Sequence, residues 1–233
     1  MANLTGNERA RYVQGMFNRI AHRYDLMNRL MTIGQDVRWR REVIRRAELP
    51  PAGILLDLGA GTGDLAQEAI LQYPDSHPVA ADFTLGMMQA GRESKGASRF
   101  DWNAADALWL PYPDKTFHAV VSGFLLRNVG DIRRCLLEQH RVLKPGGVMV
   151  ALDTTRPPNS PLAPFINFHL HTVIPALGGM ISGETDAYRY LPDSTESFLP
   201  AEQLAERMLS AGFHNIGFRR YMLDTVAIHW GKK

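Results

Sequence analysis

The chain predicts an α/β fold built on a doubly wound parallel sheet, and three observations carry that reading. Apolar runs of strand length alternate with amphipathic stretches from 53 to 153, the pattern of a parallel sheet covered by helices on both faces. One run, ILLDLGAGTGD at 54–64, stops at an acidic residue and breaks into three glycines, which reads as a buried strand turning tightly into a helix. Later runs also end in acids, Asp82 and Asp153, at the carboxyl edge where open α/β sheets bind ligands.

The elements follow in order. Residues 8–31 place Tyr12, Met16, Phe17, Ile20, Tyr24, Met27 and Leu30 at spacings of three and four, one apolar face of a helical segment that covers the carboxyl ends of the strands. Tyr24 and Asp25 add polar groups to that face. Arg38, Arg40, Arg41, Arg45 and Arg46 crowd a segment that also holds Val37, Val43 and Ile44, so an amphipathic helix with a cationic face is expected. A solvated face with local ion pairs is the plain reading of those arginines, and attraction to anionic lipid is the alternative. After Pro50 and Pro51 come the glycine turn, a helix from near Thr62 through Tyr73, and a strand in HPVAADF ending at Asp82. A helix at 84–94 leads to a strand at 99–103 and a loop carrying Asp106. A strand at 117–122 ends in Ser122, a helix covers 131–143, KPGG reads as a sharp turn, and VMVALD is a fifth strand. Residues 155–198 break the rhythm with a proline-started apolar helix and a polar loop. His169 and His171 lie two apart and face different sides of a helix, which argues against a metal pair. A helix at 201–211 and strands at 213–219 and 221–229 close the chain.

Composition bounds the function. With 233 residues and 45% apolar content, the chain buries one α/β core, organised as a helical cap at 1–50, a cofactor-binding core at 51–153, a substrate-side insertion at 154–198 and a closing helix with strands at 199–233. No apolar stretch reaches the roughly eighteen residues of a spanning helix and the N-terminus lacks a signal-peptide core, so a cytoplasmic protein is expected, with contact at the inner face of the membrane as an open reading. The single cysteine, Cys135, reads as a buried thiol on the inner side of a helix. Residues 1–50 carry ten Arg, no Lys and five acids, or +5, leaving 16 basic against 19 acidic residues, or −3, for the remainder. A basic patch interleaved with aromatics is missing, which argues against nucleic acid.

The glycine turn suits a nucleotide-like ligand lying against the main chain. A dinucleotide fingerprint is G-x-G-x-x-G with a diphosphate at the helix N-terminus. Here the spacing is G-x-G-x-G at Gly59, Gly61 and Gly63, and Asp64 follows at once, where it would repel a diphosphate. Asp57 and Asp64 instead suit a cationic or neutral ligand. The turn is similar to motif I of the class I S-adenosylmethionine-dependent methyltransferases, whose ligand carries a sulfonium and no phosphate. Asp82, about twenty residues on, is placed to accept from both ribose hydroxyls, and Asp106 is suited to accept from the adenine amino group.

With these residues in place, the chain resembles the ubiquinone/menaquinone biosynthesis C-methyltransferase family from about residue 16 to 231. FNRIAHRYDLMNRLMTIG, LDLGAGTGDLA, LPYPDKTFHAVVSGFLLRNV, HRVLKPGG and DAYRYLPDST carry the match, with RYDLMN, LRNV and YRYL its specific features. LDTTRP stands where the family usually has LEFSKP, shortening a Glu to Asp153. The resemblance implies a Rossmann-like seven-stranded sheet whose last strand runs antiparallel. It implies S-adenosylmethionine contacts at Thr62 with the neighbouring glycines, Asp82, Asp106 with Ala107, and Ser122. It also implies methylation of a ring carbon of a polyprenylated quinol, demethylmenaquinol first, with Arg127 and Asn128 orienting the ring oxygen and Tyr24 near them. Nothing in the chain has metal-ligand spacing, so no metal is expected in the reaction. A methyltransferase on another apolar acceptor and a non-catalytic cofactor-binding scaffold remain the alternatives, and a homodimer is left open.

Overall fold

The computed structural model describes residues 6–93, 96–156, 172, 194–195 and 198–233. The insertion expected at 154–198, with its proline-started apolar helix, His169, His171 and YRYL, falls almost entirely outside them.

The architecture is α/β. Seven strands form one sheet in the order β3-β2-β1-β4-β5-β7-β6: β1 (Ile54–Leu58), β2 (His77–Asp82), β3 (Asp101–Ala104), β4 (Phe117–Gly123), β5 (Leu143–Thr154), β6 (His214–Tyr221) and β7 (Val226–Lys232). β7 runs antiparallel to both its neighbours, as the family resemblance implies. The strand order reverses between β1 and β4, which pair in parallel, and such a reversal opens a crevice at the carboxyl ends.

Strand periodicity assigns the two faces. Leu56, Leu58, Val120 and Met149 face one side and join a core with Leu136 of α6 (Ile132–Val142) and Leu204 and Met208 of α7 (Ala201–Ser210). Leu55, Ala119, Val121, Val148 and Val150 face the other, packed with Trp39, Val43 and Ile44 of α3 (Gln35–Arg46) and Leu65 and Ala69 of α4 (Asp64–Gln72). Cys135 is fully buried, and burial pushes its thiol up to about 12.

The N-terminal cap consists of α1 (Gly6–Ile20), a 3-10 turn (Ala21–Arg23), α2 (Tyr24–Met31) and α3. Met16, Ile20, Met27 and Met31 form its own small core. Long-range bonds dock it over the strand ends, among them Gln14 Nε2 donating to the Phe83 carbonyl at 2.9 Å and the Gly86 N–H donating to Asn18 Oδ1 at 3.0 Å, at the start of α5 (Leu85–Arg92).

Four expectations need correction. The KPGG segment is not a terminating turn but a bulge inside β5: Phe117 to Ala119 of β4 spans Leu143 to Val148 of β5. The C-terminus stabilises it, with the Gly146 N–H donating to the Lys233 carbonyl at 2.8 Å and the Lys233 N–H to Gly147 at 3.0 Å. The last hairpin turns at residues 222–225 rather than at 220, where Met222, Leu223 and Asp224 take positive φ. Leu30 is 42% exposed instead of buried, because the 3-10 turn resets the phase between α1 and α2. Finally, Arg40 and Arg46 make the expected local ion pairs but are turned inward from the solvated face of α3. Arg40 lies between Asp36 and Asp64 at 2.7 and 2.8 Å, and Arg46 stacks on Trp230 while binding Glu42 at 2.7 Å.

Candidate active site

The site begins where β1 runs out. Gly59, Gly61 and Gly63 all have positive φ, at +69, +58 and +85°, the region where a Cβ strains the backbone. The turn is pinned to β2, with the N–H groups of Gly59 and Ala60 both donating to the Ala81 carbonyl, at 2.8 and 3.1 Å. The glycines divide their work. A Cβ on Gly63 would stand 2.7 Å from Trp102, so this glycine serves packing, whereas Gly59 and Gly61 line a cavity. The helix starts at Asp64, two residues later than expected, and its Ala66 N–H donates to Asp57 Oδ2 at 3.0 Å. Asp57 is thus a buried acceptor for the helix start.

The cavity encloses about 290 Å³ at the sheet's switch point. Asp82 and Asp106 are the polar part of one wall. Val13, Phe17 and Tyr24 of the cap and Phe83, Met87, Phe124 and Leu125 make it largely apolar. Asp82 accepts from the Gly61 N–H through Oδ2 at 2.7 Å and from the Thr84 N–H through Oδ1 at 2.6 Å. Burial raises its pKa, opposed by these bonds. Asp106 is exposed and accepts from the Leu108 N–H at 2.9 Å, while Ala107 is buried in the wall. Ser122 is buried one residue below the lining Gly123, and its Oγ has no hydrogen-bond partner among the described residues. Thr62 lies in an adjoining recess and donates to Asp25 Oδ1 at 2.8 Å.

Of the three residues expected to handle the acceptor, Tyr24 and Asn128 line the cavity. Burial raises the Tyr24 hydroxyl pKa, which keeps it protonated and a hydrogen-bond donor. Asn128 donates through Nδ2 to the Phe124 carbonyl at 2.9 Å. Arg127 is buried beside them: its N–H donates to Asp153 Oδ2 at 3.2 Å, Nη1 stands 3.8 Å from Oδ1, and the guanidinium lies 4.9 Å from the Phe124 ring centre. Asp153 therefore enters as the partner of Arg127, and Asp25 as the partner of Thr62. The sequence marked both as polar, but only the fold pairs them. The apolar wall at Phe83, Met87, Phe124 and Leu125 had no local signal, since apolar residues after strands read equally as core.

Asp57 yields a pH prediction. Burial pushes its carboxyl from 3.8 up to about 7, so the folded state binds this proton more tightly than the unfolded chain. The associated stability is present below the ordinary carboxylate range and is lost as pH rises from about 4 through about 7. Asp57→Asn cannot ionise, and should flatten the fall in stability over that window by up to about 4 kcal/mol, at roughly 1.4 kcal/mol per pH unit. Thermal melts of both proteins from pH 4 to 8 check this, and parallel curves would refute it.

The strand order, the antiparallel β7 and a glycine turn facing an acid at the end of β2 define the chain as a class I methyltransferase. It belongs to the ubiE/COQ5 methyltransferase family, which it matches over residues 4–233. It is 46% identical over 221 residues to the ubiquinone/menaquinone biosynthesis C-methyltransferase UbiE of Desulfotalea psychrophila, covering 95% of this chain and 90% of that protein. It is 40% identical over 220 residues to the demethylmenaquinone methyltransferase of Thermus thermophilus, covering 94% of this chain and all (100%) of that one. Among solved structures it is similar to an S-adenosylmethionine-dependent methyltransferase of Thermotoga maritima, with TM-score 0.66, 18% identity and coverage of 94% and 98%.

Proposed function

We propose that this chain transfers a methyl group from S-adenosylmethionine to a ring carbon of a polyprenylated quinol, demethylmenaquinol first, in menaquinone or ubiquinone biosynthesis. The observation that carries this reading is the cavity, an apolar chamber whose one wall is acidic where it meets the glycine turn. Its residues fit the cofactor. Asp82 and Asp106 offer acceptors for hydroxyl and amino groups, Gly59 and Gly61 leave the main chain open to close approach, and the carboxylates suit a ligand that is cationic and lacks phosphate.

When bound, the cofactor supplies an electrophilic methyl group. The chain's own residues have to position the acceptor and favour its ionised form, because a ring carbon becomes nucleophilic as the adjacent hydroxyl loses its proton. Tyr24 and Asn128 orient the ring oxygen from the cavity wall. Arg127 is too basic to serve as a base, and its fixed charge favours the phenolate, directly or through a water. The apolar wall excludes bulk water, which strengthens that charge's effect. The test is mass analysis of quinones in a strain lacking its own enzyme and complemented with this chain. Accumulation of the unmethylated quinone despite expression would sink the proposal.

The acceptor is a lipid, and the protein works in the cytoplasm at an anionic membrane surface. Support comes from Leu26, Leu30 and Ile33, which are 54, 42 and 79% exposed and spaced as one face of a helix at and just beyond the end of α2, beside exposed Arg23 and Arg29. An apolar stripe edged by arginines binds lipid by shallow insertion and by attraction of roughly 1 kcal/mol per basic residue. Among the described residues no helix is long and apolar enough to cross a membrane. Leu30→Asp with Ile33→Asp should reduce co-sedimentation with anionic vesicles at least fivefold at low salt and leave cofactor affinity unchanged. Equal sedimentation of variant and wild type would remove this face from membrane contact.

A further inference from the structure

We propose that Asn28 of α2 is a positioning residue for the methyl acceptor: when the acceptor binds, the buried Asn28 amide donates to the Tyr24 hydroxyl oxygen and so turns the Tyr24 proton into the cavity, toward the ring oxygen. This rests on the acceptor reading above, in which Tyr24 orients that oxygen, and it assigns the group that directs the Tyr24 hydroxyl.

Position 28 is a costly place for an amide. Asn28 is 7% exposed, on a helix whose other buried residues are Met27 and Met31, and an asparagine both weakens a helix interior and is penalised when buried without partners. Its Nδ2 has no hydrogen-bond partner among the described residues. A buried donor left unpaired is a standing penalty, which a partner that completes it in the loaded site would remove. Tyr24 stands one helical turn earlier, at the i, i+4 spacing that brings side chains together, and it lines the cavity. Burial raises the Tyr24 pKa; the Asn28 amide facing its hydroxyl and the charges of Arg127 and Arg40 oppose that rise, while the charge of Asp25 adds to it. The amide and the hydroxyl thus face each other without a closed bond, as catalytic hydrogen bonds often do before a ligand tightens them.

Both members of the pair are held from behind. Phe17 meets the Tyr24 ring edge-on, with centroids 5.6 Å apart and planes at 75°. The Asn28 carbonyl accepts from Thr32 twice, from its N–H at 3.0 Å and from its Oγ1 at 2.8 Å. Thr32 Oγ1 also lies 3.1 Å from Asp36 Oδ1 and accepts from the Asp36 N–H at 3.3 Å, and the buried Asp36 binds Arg40 at 2.7 Å. Residues 24, 28, 32, 36 and 40 are therefore a polar row at intervals of four, which crosses from α2 into α3 and fixes the backbone at Asn28. A phenolic hydroxyl has one proton and accepts through its oxygen. An amide N–H on that oxygen leaves the proton for another acceptor, and on the cavity side that acceptor is the ring oxygen.

The test is a double-mutant cycle read in steady-state turnover of a prenylated quinol, with calorimetry of S-adenosylhomocysteine beside it. Asn28→Leu keeps the shape and removes the amide, and Tyr24→Phe removes the hydroxyl. We expect Asn28→Leu to lower kcat at least tenfold while changing KM and S-adenosylhomocysteine affinity less than twofold. Its melting temperature should hold or rise, since an unpaired buried donor is gone. In the Tyr24→Phe background the same substitution should change kcat less than twofold, because no hydroxyl is left to direct. Asn28→Asp also keeps the shape but presents an acceptor, which draws the Tyr24 proton away from the cavity and should likewise lower kcat at least tenfold, so either variant carries the test if the other folds poorly. Full turnover in a folded Asn28 variant, or a loss equally large in the Tyr24→Phe background, would overturn the proposal while leaving the role of Tyr24 intact. Wild-type turnover in Tyr24→Phe would overturn both.

Discussion

Replacing Arg127 by alanine should lower turnover of a prenylated quinol at least a hundredfold while changing cofactor affinity less than threefold. A group that favours a phenolate acts on charge that develops toward the transition state, so its loss appears mainly in turnover. The structure adds a second consequence. Arg127 and Asp153 are both buried, at 7 and 1% exposure, and burial already raises the Asp153 pKa against the opposing charge of Arg127. Removing the arginine leaves an uncompensated carboxylate inside the protein, at a cost of roughly 3–5 kcal/mol in stability. Stability and catalysis separate in the double variant Arg127→Ala with Asp153→Asn. The neutral amide can still accept from the backbone N–H of residue 127, so melting temperature should recover. Turnover should not. Recovered turnover would mean that Arg127 serves only to neutralise Asp153.

The parts legible in the sequence are those set by local periodicity. Strand and helix alternation from β1 to β5 could be read because each apolar run is bounded by its own turn, and Asp82 could be placed because it ends such a run. The misread parts depend on partners far along the chain. Lys144–Gly147 has the composition of a turn, but the C-terminal Lys233 pairs with Gly146 and Gly147 and keeps the strand continuous around a bulge. Arg40 sits in a run of arginines that looks solvated, and only Asp64, at the start of α4, turns it inward. Leu30 fits an inner face if 8–31 is one helix, and the 3-10 turn at Ala21–Arg23 breaks that assumption. In the site, LRNV pointed to Arg127. Its partner Asp153 follows from the pairing of Gly123 with Leu152 across β4 and β5, a relation no local pattern encodes.

Asp82→Ala should weaken S-adenosylmethionine binding at least tenfold and toward a hundredfold or more. Two ribose hydroxyls donating to a charged acceptor are each worth roughly 1.5–3 kcal/mol, and the side chain also fixes the surface on which the ligand lies. Its two oxygens accept from Gly61 at 2.7 Å and Thr84 at 2.6 Å, joining the glycine turn to the start of α5. Alanine therefore removes ribose acceptors and loosens the turn at once. A ligand change separates the two effects. S-adenosylhomocysteine and its 2′,3′-dideoxy analogue should differ at least tenfold in affinity for the wild type and less than threefold for Asp82→Ala, because the variant has no carboxylate for the hydroxyls to find. If the two ligands differ as much in the variant as in the wild type, Asp82 only braces the turn, and the ribose acceptor must be sought elsewhere in the cavity.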